Sequence, residues 1–240
     1  AAAWTRSMDC ESIRYEIQKN LDFLASSRRD VPERQRSLRA VFESSWARLS
    51  DAEQKTLAAL SVFRGDFARD AAEKVAGNIL SLVDKSLVQR NGERFELHEV
   101  TRGFAQEKLG AKKKPHAAHA KYFAGWAKEL STMNERASFP LLTREFENVR
   151  AAWLWSSAQK DVNSLASLVH FTKRVLDIQG RYREGFELME RALKDLDAPD
   201  SVQDLPPDAR GELIARLWTF KALYLGDLGR SDETPQILDA

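Results

Sequence analysis

The chain has 240 residues, a formal net charge of +1 and 43% hydrophobic residues. This length suits one large or two modest domains, and the composition is that of an ordinary globular protein with no charge bias toward polyanions. A single cysteine, Cys10, excludes an internal disulfide bond and favours a reducing, cytoplasmic location. No apolar run approaches the roughly 18–20 residues of a membrane span, so we predict no membrane partner.

Residues 1–29 form the first predicted segment. Apolar residues spaced by three or four between Trp4 and Leu24 predict one or two amphipathic helices. The start, Ala1-Ala-Ala-Trp4, has no features of a signal peptide, and Glu233–Ala240 stops where a new helix is expected to begin. We therefore expect this sequence to be a segment of a longer protein.

Residues 30–112 predict a winged-helix domain. Ser50–Glu53 is a capping box that opens a helix, and Asn91-Gly92 is a strong signal for a β-hairpin. The predicted elements are helices near 38–49, 51–60, 68–76 and 80–87, a hairpin with strands 87–90 and 94–97, and a last helix over 99–109. Because an isolated hairpin is marginally stable, it must pack on the helices, which is the winged-helix pattern.

Residues 113–240 predict a tetratricopeptide-like array of helices, following a basic linker at Gly110–Pro115. A long helix, a Gly-Arg turn and an acidic second helix occur twice, with turns at Gly180 and Gly229, 49 residues apart. Repeats of this size indicate a helical solenoid. The aromatic residues Tyr182 and Trp218 could bind a partner on this array, although large aromatic residues also fill solenoid cores.

The sequence predicts no catalytic residues, and we expect the chain not to be an enzyme. It contains no G-x-x-x-x-G-K-[ST] phosphate loop and no local nucleophile signature. His116 and His119 are three residues apart, but a metal site needs more ligands, so no metal is predicted.

DNA binding is the first alternative that a winged helix raises. The recognition position would fall at 78–86, and Lys85 and Arg90 are the candidate DNA or interdomain contacts. Residues 28–112 hold 16 Lys or Arg and 13 Asp or Glu, a balance of only +3. Because groove binding needs surrounding cations, we expect this domain to pack between other domains rather than to bind DNA.

His98 lies where the last predicted strand meets the last helix. Its imidazole could cap or pack this junction, or it could direct an N–H toward an anion held by a neighbouring domain. Nothing in the local sequence decides between these alternatives.

Several motifs resemble bacterial STAND proteins, the NB-ARC-like signal-transduction ATPases that are often multidomain transcriptional regulators of the LuxR or antibiotic-regulator type. The motifs are Ser37–Trp46, Ser61–Gly65, Leu82–Val88, Leu97–Ala105, Phe146–Ala152 and the helix beginning Gly180-Arg-Tyr. The resemblance implies that residues 1–29 end the helical subdomain of an upstream ATPase core. That core would bind ADP or ATP with Mg²⁺, whereas this chain would hold no cofactor itself.

The resemblance also implies a role for Leu97-His98-Glu99. This triplet is similar to the family's Met-His-Asp, whose histidine contacts the β-phosphate of ADP and holds the resting state closed. Glu99 is one methylene longer than the family's aspartate.

The implied mechanism is a switch in which a protein or small-molecule effector binds the helical repeats, and the activated protein self-associates. DNA would then be contacted only through a domain outside this chain. Two alternatives are a winged helix that itself binds DNA and a scaffold whose repeats hold a protein partner without any nucleotide.

Overall fold

The computed structural model describes residues 38–131, 135–199 and 204–230, so the predicted helices of residues 1–29 lie outside it. The chain divides into two compact units, the first ending at Pro115 and the second beginning at His116. The described residues are mainly helical, with one small antiparallel sheet, which confirms the predicted fold class. Within them, no helix is both long and apolar enough to cross a membrane.

The first unit alternates helices with short strands in the winged-helix order. Its described elements are α1 (Leu38–Ala47), α2 (Asp51–Leu60), β1 (Asp66–Ala68), α3 (Arg69–Val75), α4 (Leu80–Asp84), β2 (Gln89–Asn91), β3 (Arg94–Glu96) and α5 (Glu99–Leu109). Helices α2 and α5 pack on each other. The sheet thus lies beside a small helical core, as an otherwise unstable hairpin requires.

The capping box at the start of α2 is confirmed. The Ser50 hydroxyl accepts a hydrogen bond from the Glu53 N–H at 3.3 Å, and the Glu53 carboxylate accepts one from the Ser50 N–H at 2.9 Å. These two bonds satisfy N–H groups that the first turn of a helix otherwise leaves without partners. Leu57 and Leu60 on the same helix are buried in the core.

The sheet has three strands in the order β1-β3-β2, whereas the sequence predicted only the hairpin. Strand β1 pairs antiparallel with β3, with Phe67 opposite Phe95. The hairpin turn also lies one residue later than predicted, since Asn91 pairs with Arg94 and the turn is Gly92-Glu93. Only Gly92 of these two has a positive φ, of 62°, as a glycine-first type II′ turn requires.

The second unit is a series of helices. Its described helices are α6 (Lys113–Leu130), α7 (Glu135–Ala158), α8 (Val162–Ile178), α9 (Tyr182–Asp195) and α10 (Ala209–Asp227). The predicted linker Gly110–Pro115 is wrong in its second half, because α6 already begins at Lys113. Pro115 is tolerated there because the N–H groups in the first turn of a helix have no intrahelical acceptor, so the N–H that proline lacks costs no hydrogen bond.

The recurring Gly-Arg turns are confirmed at the ends of α8 and α10. Gly180 and Gly229 have φ values of 64° and 70°, in the left-handed region that glycine tolerates. The Arg181 N–H donates to the Leu176 carbonyl at 2.9 Å, and the Arg230 N–H donates to the Leu225 carbonyl at 2.8 Å. These bonds span six residues as in a Schellman motif, so both turns end their helices in the same way.

Neighbouring helices of this unit pack as successive pairs. α7 packs on α8 and α9 packs on α10, while α8 also touches α10 and α7 touches α9. One close approach involves Gly185 of α9, where an added Cβ would overlap Cζ of Tyr224 on α10. The glycine therefore lets the buried tyrosine ring lie directly on the α9 backbone.

Candidate functional site

The junction between β3 and α5 places His98 at the surface and Leu97 in the core. Leu97 is 8% exposed, whereas His98 and Glu99 are exposed. His98 has φ −55° and ψ 141°, so its backbone is not helical, and it occupies the N-cap position of α5. The buried leucine thus fixes the strand end and leaves the next two side chains at the helix start.

The imidazole of His98 caps α5. Its Nδ1 accepts a hydrogen bond from the Val100 N–H at 3.4 Å. In a neutral imidazole the nitrogen that accepts carries no hydrogen, so the proton is on Nε2. The two alternatives raised by the sequence are therefore compatible, because a capping His98 still has an Nε2–H to donate to a ligand.

Two arginines lie close to this helix start. Arg102, four residues after His98, forms an ion pair with Glu99, and its Nη1 donates to the Phe63 carbonyl at 3.4 Å. Nη1 of Arg64 donates to the Ser61 carbonyl at 2.9 Å and to the same Phe63 carbonyl at 3.2 Å. The loop after α2 thereby brings a second guanidinium beside the one on α5.

The electrostatics of this cluster favour an anion. Burial, and then the charge of Arg64, lower the pKa of Arg102, and burial also lowers the pKa of Arg64. Guanidinium groups stay charged nonetheless, because their ordinary pKa is far above neutral. The N–H groups and dipole of a helix start add positive potential. Neither Arg64 nor Arg102 was predicted from the sequence, although Arg102 lies four residues after His98, a spacing that places both on one face of a helix.

The first unit itself supplies the polar partners of Lys85 and Arg90, the two residues predicted to contact DNA or another domain. Nζ of Lys85 lies 2.6 Å from a carboxylate oxygen of Glu53, and this contact is the main cause that lowers the pKa of Glu53 to about 2. Nε of Arg90 donates to the Gly92 carbonyl at 2.8 Å, within its own hairpin. Their contact with DNA or another domain stays a prediction.

The segment predicted for DNA recognition, 78–86, forms only the five residues of α4. Leu82 of this helix is fully buried, and Leu80 is 42% exposed. A helix that enters the major groove presents several polar side chains to base edges. An exposed leucine on so short a helix gives little of that chemistry.

The two aromatic residues predicted to contact a partner differ in exposure. Tyr182 begins α9, is half-buried and lines an open depression of about 550 Å³ together with Arg150 and Glu187. Trp218 on α10 is 8% exposed and is one of the residues that line a depression of about 400 Å³. Tyr182 is therefore the more accessible candidate, while most of Trp218 is core.

No metal-ligand cluster is visible in the part of the chain that the structure describes, since no three His, Cys, Asp or Glu residues come together there. The ring of His119 is buried and lies 4.7 Å from that of Phe123. This places one of the two helical histidines in the packing of α6.

The chain is 30% identical over 215 residues to curated proteins from Mycobacterium tuberculosis, strains H37Rv and CDC 1551, and from Mycobacterium bovis. All three are provisionally named HTH-type transcriptional regulators. The match covers 81% of this chain but 24% of each relative, so the chain spans about a quarter of the length of these proteins. No family model matches the chain, and no solved structure matches it significantly.

Proposed function

We propose that this chain is a regulatory segment of a cytoplasmic transcriptional regulator. The proposal is supported by its similarity, over 81% of its length, to proteins named HTH-type transcriptional regulators. Because the match covers a quarter of those proteins, the other parts of such a regulator lie outside it. In this proposal the segment is not a catalyst, and its two units pass a signal between those parts.

The more detailed proposal is a nucleotide switch of the STAND type. The first unit would close over ADP that is held by an ATPase core outside this chain. The same core would bind ATP together with Mg²⁺. The observation that carries this proposal is the cap of α5, where His98 uses Nδ1 for the helix and keeps Nε2–H for a β-phosphate oxygen. Arg64 and Arg102 would raise the positive potential around that oxygen.

The second unit would act as the sensor in this switch. The packing of successive helices, together with the equivalent Gly-Arg turns that end α8 and α10, supports a tetratricopeptide-like array with a surface for a protein or small-molecule effector. An effector shifts the switch only if it binds the open form more tightly than the closed form. The open form would then self-associate, and the full-length protein would hydrolyse ATP slowly.

A second candidate function is direct DNA binding by the first unit. The relatives' name favours it over the nucleotide switch, because "HTH-type" describes a DNA-binding motif and the name mentions no nucleotide. The winged-helix order of elements also supports it. The short α4 and the internal bonds of Lys85 and Arg90 are the observations against it.

Fluorescence anisotropy of the 240-residue chain with labelled duplex DNA separates these candidates. If the first unit binds DNA, its affinity should fall steeply between 50 and 200 mM salt, by about ten-fold or more for several phosphate contacts. The double substitution Lys85→Gln with Arg90→Gln should weaken that affinity. Lys194→Gln, on the exposed face of α9 in the second unit, is the matched control.

The nucleotide switch predicts no such binding, and it predicts ADP in the purified whole protein. A whole protein that neither contains nor binds nucleotide would contradict it.

A further inference from the structure

A cavity of about 370 Å³ lies within the second unit, between α6, α7 and α8. The apolar side chains among its described lining residues are those of Ala127, Leu130, Leu142, Ala166 and Phe171. Leu130, Leu142 and Phe171 are at most 6% exposed, so this wall belongs to the packed core of the unit. The volume is at the lower end of the range for small-molecule sites, about 300–1,000 Å³, and is too small for a folded partner.

Aromatic contacts hold two lining residues of α8 in place. The ring of Phe171 meets the ring of Trp126 on α6 edge to face at 5.3 Å, and the ring of His170 meets that of Phe220 on α10 at 5.5 Å. Such ring pairs prefer defined orientations. The walls of the cavity are thus set by helix packing, so a ligand need not first open the space.

The two cations of the lining do not depend on a ligand for a partner. Arg174 already interacts with another group of the chain. Lys128 is exposed, so its ammonium group can remain in water at the end of a flexible stem. A charged ligand would lose hydration on entering an apolar cavity, and neither cation is a buried charge that would compensate for this loss.

The remaining polar groups suit an uncharged ligand. Ser131 donates to the Lys128 carbonyl at 2.6 Å, and Ser167 donates to the Asn163 carbonyl at 3.0 Å. Both hydroxyl hydrogens are therefore used, while the hydroxyl oxygens can still accept a hydrogen bond. Burial is the main cause that lowers the pKa of His170, so its imidazole is neutral near pH 7. A ligand hydroxyl would thus meet neutral acceptors beside the apolar wall.

We propose that this cavity binds a small, uncharged, mainly apolar molecule with one hydroxyl group. Its apolar body lies on Leu130, Leu142 and Phe171, and its hydroxyl donates to the Ser167 oxygen. Binding needs only the second unit, so it does not depend on a nucleotide contact at His98. That the bound molecule also acts as the effector rests on the proposed function.

Calorimetry with the 240-residue chain tests this proposal with 1-octanol, and with octanoate and octylammonium as charged probes. We expect 1-octanol to bind at least five-fold more tightly than either ion, because both ions must lose hydration. 1-Hexanol should bind about fifteen-fold more weakly than 1-octanol, since each methylene buried contributes about four-fold. No binding of 1-octanol, or an ion that binds as tightly, would overturn the proposal. The measurement needs no nucleotide, so its outcome is independent of the ADP experiments.

Two variants locate the site. Ala166→Leu should weaken 1-octanol binding at least ten-fold by filling the cavity, and Ser167→Ala should weaken it about five-fold by removing the hydroxyl acceptor. Ala222→Leu, at a half-buried alanine of α10 that is not among the lining residues, is the matched control for added volume. Circular dichroism checks folding in each case. Unchanged affinity in folded Ala166→Leu or Ser167→Ala, or an equal loss in Ala222→Leu, would contradict the assignment.

Discussion

Arg64 and Arg102 donate hydrogen bonds to the same acceptor, the carbonyl oxygen of Phe63, at 3.2 and 3.4 Å. Two like charges thus converge beside the first turn of α5, with Glu99 paired to Arg102. Such a pair is disfavoured unless an anion offsets it, and Glu99 provides that charge within the chain. The same arrangement would suit a phosphate presented by another domain.

Replacing Glu99 tests this balance. Glu99→Gln should lower the free energy of unfolding by about 1 kcal/mol, because it removes a partner of Arg102 and a favourable charge at a helix start. Urea unfolding of the chain measures the change. Glu93→Gln in the hairpin turn is the matched control and should change stability by less than about 0.5 kcal/mol. Equal losses in both variants would show that Glu99 has no special electrostatic role.

The ion pair of Lys85 and Glu53 predicts a defined pH dependence. Lys85 first, and then the Ser50 N–H, lower the pKa of Glu53 from 4.5 to about 2. A carboxylate whose pKa is lower in the folded state stabilises the fold above its unfolded pKa, and this contribution is lost as the pH falls through the folded value. Lys85→Gln should therefore be less stable than the parent at pH 7, and the difference should shrink between pH 4.5 and 2.

Urea midpoints at pH 7, 4.5 and 2 measure that difference. Lys55→Gln, an exposed lysine of α2, is the control. A deficit in Lys85→Gln that stays constant over this range would mean that Lys85 acts by packing rather than through the charge of Glu53.

The contact between Gly185 and Tyr224 predicts opposite effects for two similar substitutions. Gly185→Ala should destabilise the chain by about 1–3 kcal/mol, because its Cβ would overlap a buried ring. Gly125→Ala in α6 should instead stabilise it by roughly 0.5–1 kcal/mol, since nothing lies near its added Cβ and alanine favours helices. Thermal unfolding measures both. Stabilisation by Gly185→Ala would show that α9 and α10 are further apart than described.

Local signals account for the features that the sequence predicted correctly. The capping box at Ser50, the start of α5 at Glu99 and the turns at Gly180 and Gly229 each depend on residues a few positions apart. Their side chains and φ preferences act on the adjacent backbone, so no tertiary information is needed.

The features that the sequence analysis missed depend on distant partners. Strand β1 has only three residues, and its pairing with β3 brings together positions about 30 residues apart. The convergence of Arg64 and Arg102 likewise depends on how the loop after α2 packs against α5. The start of α6 at Lys113 was missed because a lysine run ending in proline was interpreted as a linker, although proline is favoured in a first helical turn.

Nucleotide retention by the whole protein tests most directly whether the Nε2–H of His98 contacts a phosphate. His98→Asn is the informative variant, because asparagine is a good N-cap and keeps α5 capped while removing the imidazole. His98→Ala, which removes both functions, accompanies it. We predict that the parent protein purifies with ADP and that both variants, while folded, exchange it at least ten-fold faster. ADP content and exchange rates in His98→Asn equal to those of the parent would show that His98 is only a helix cap.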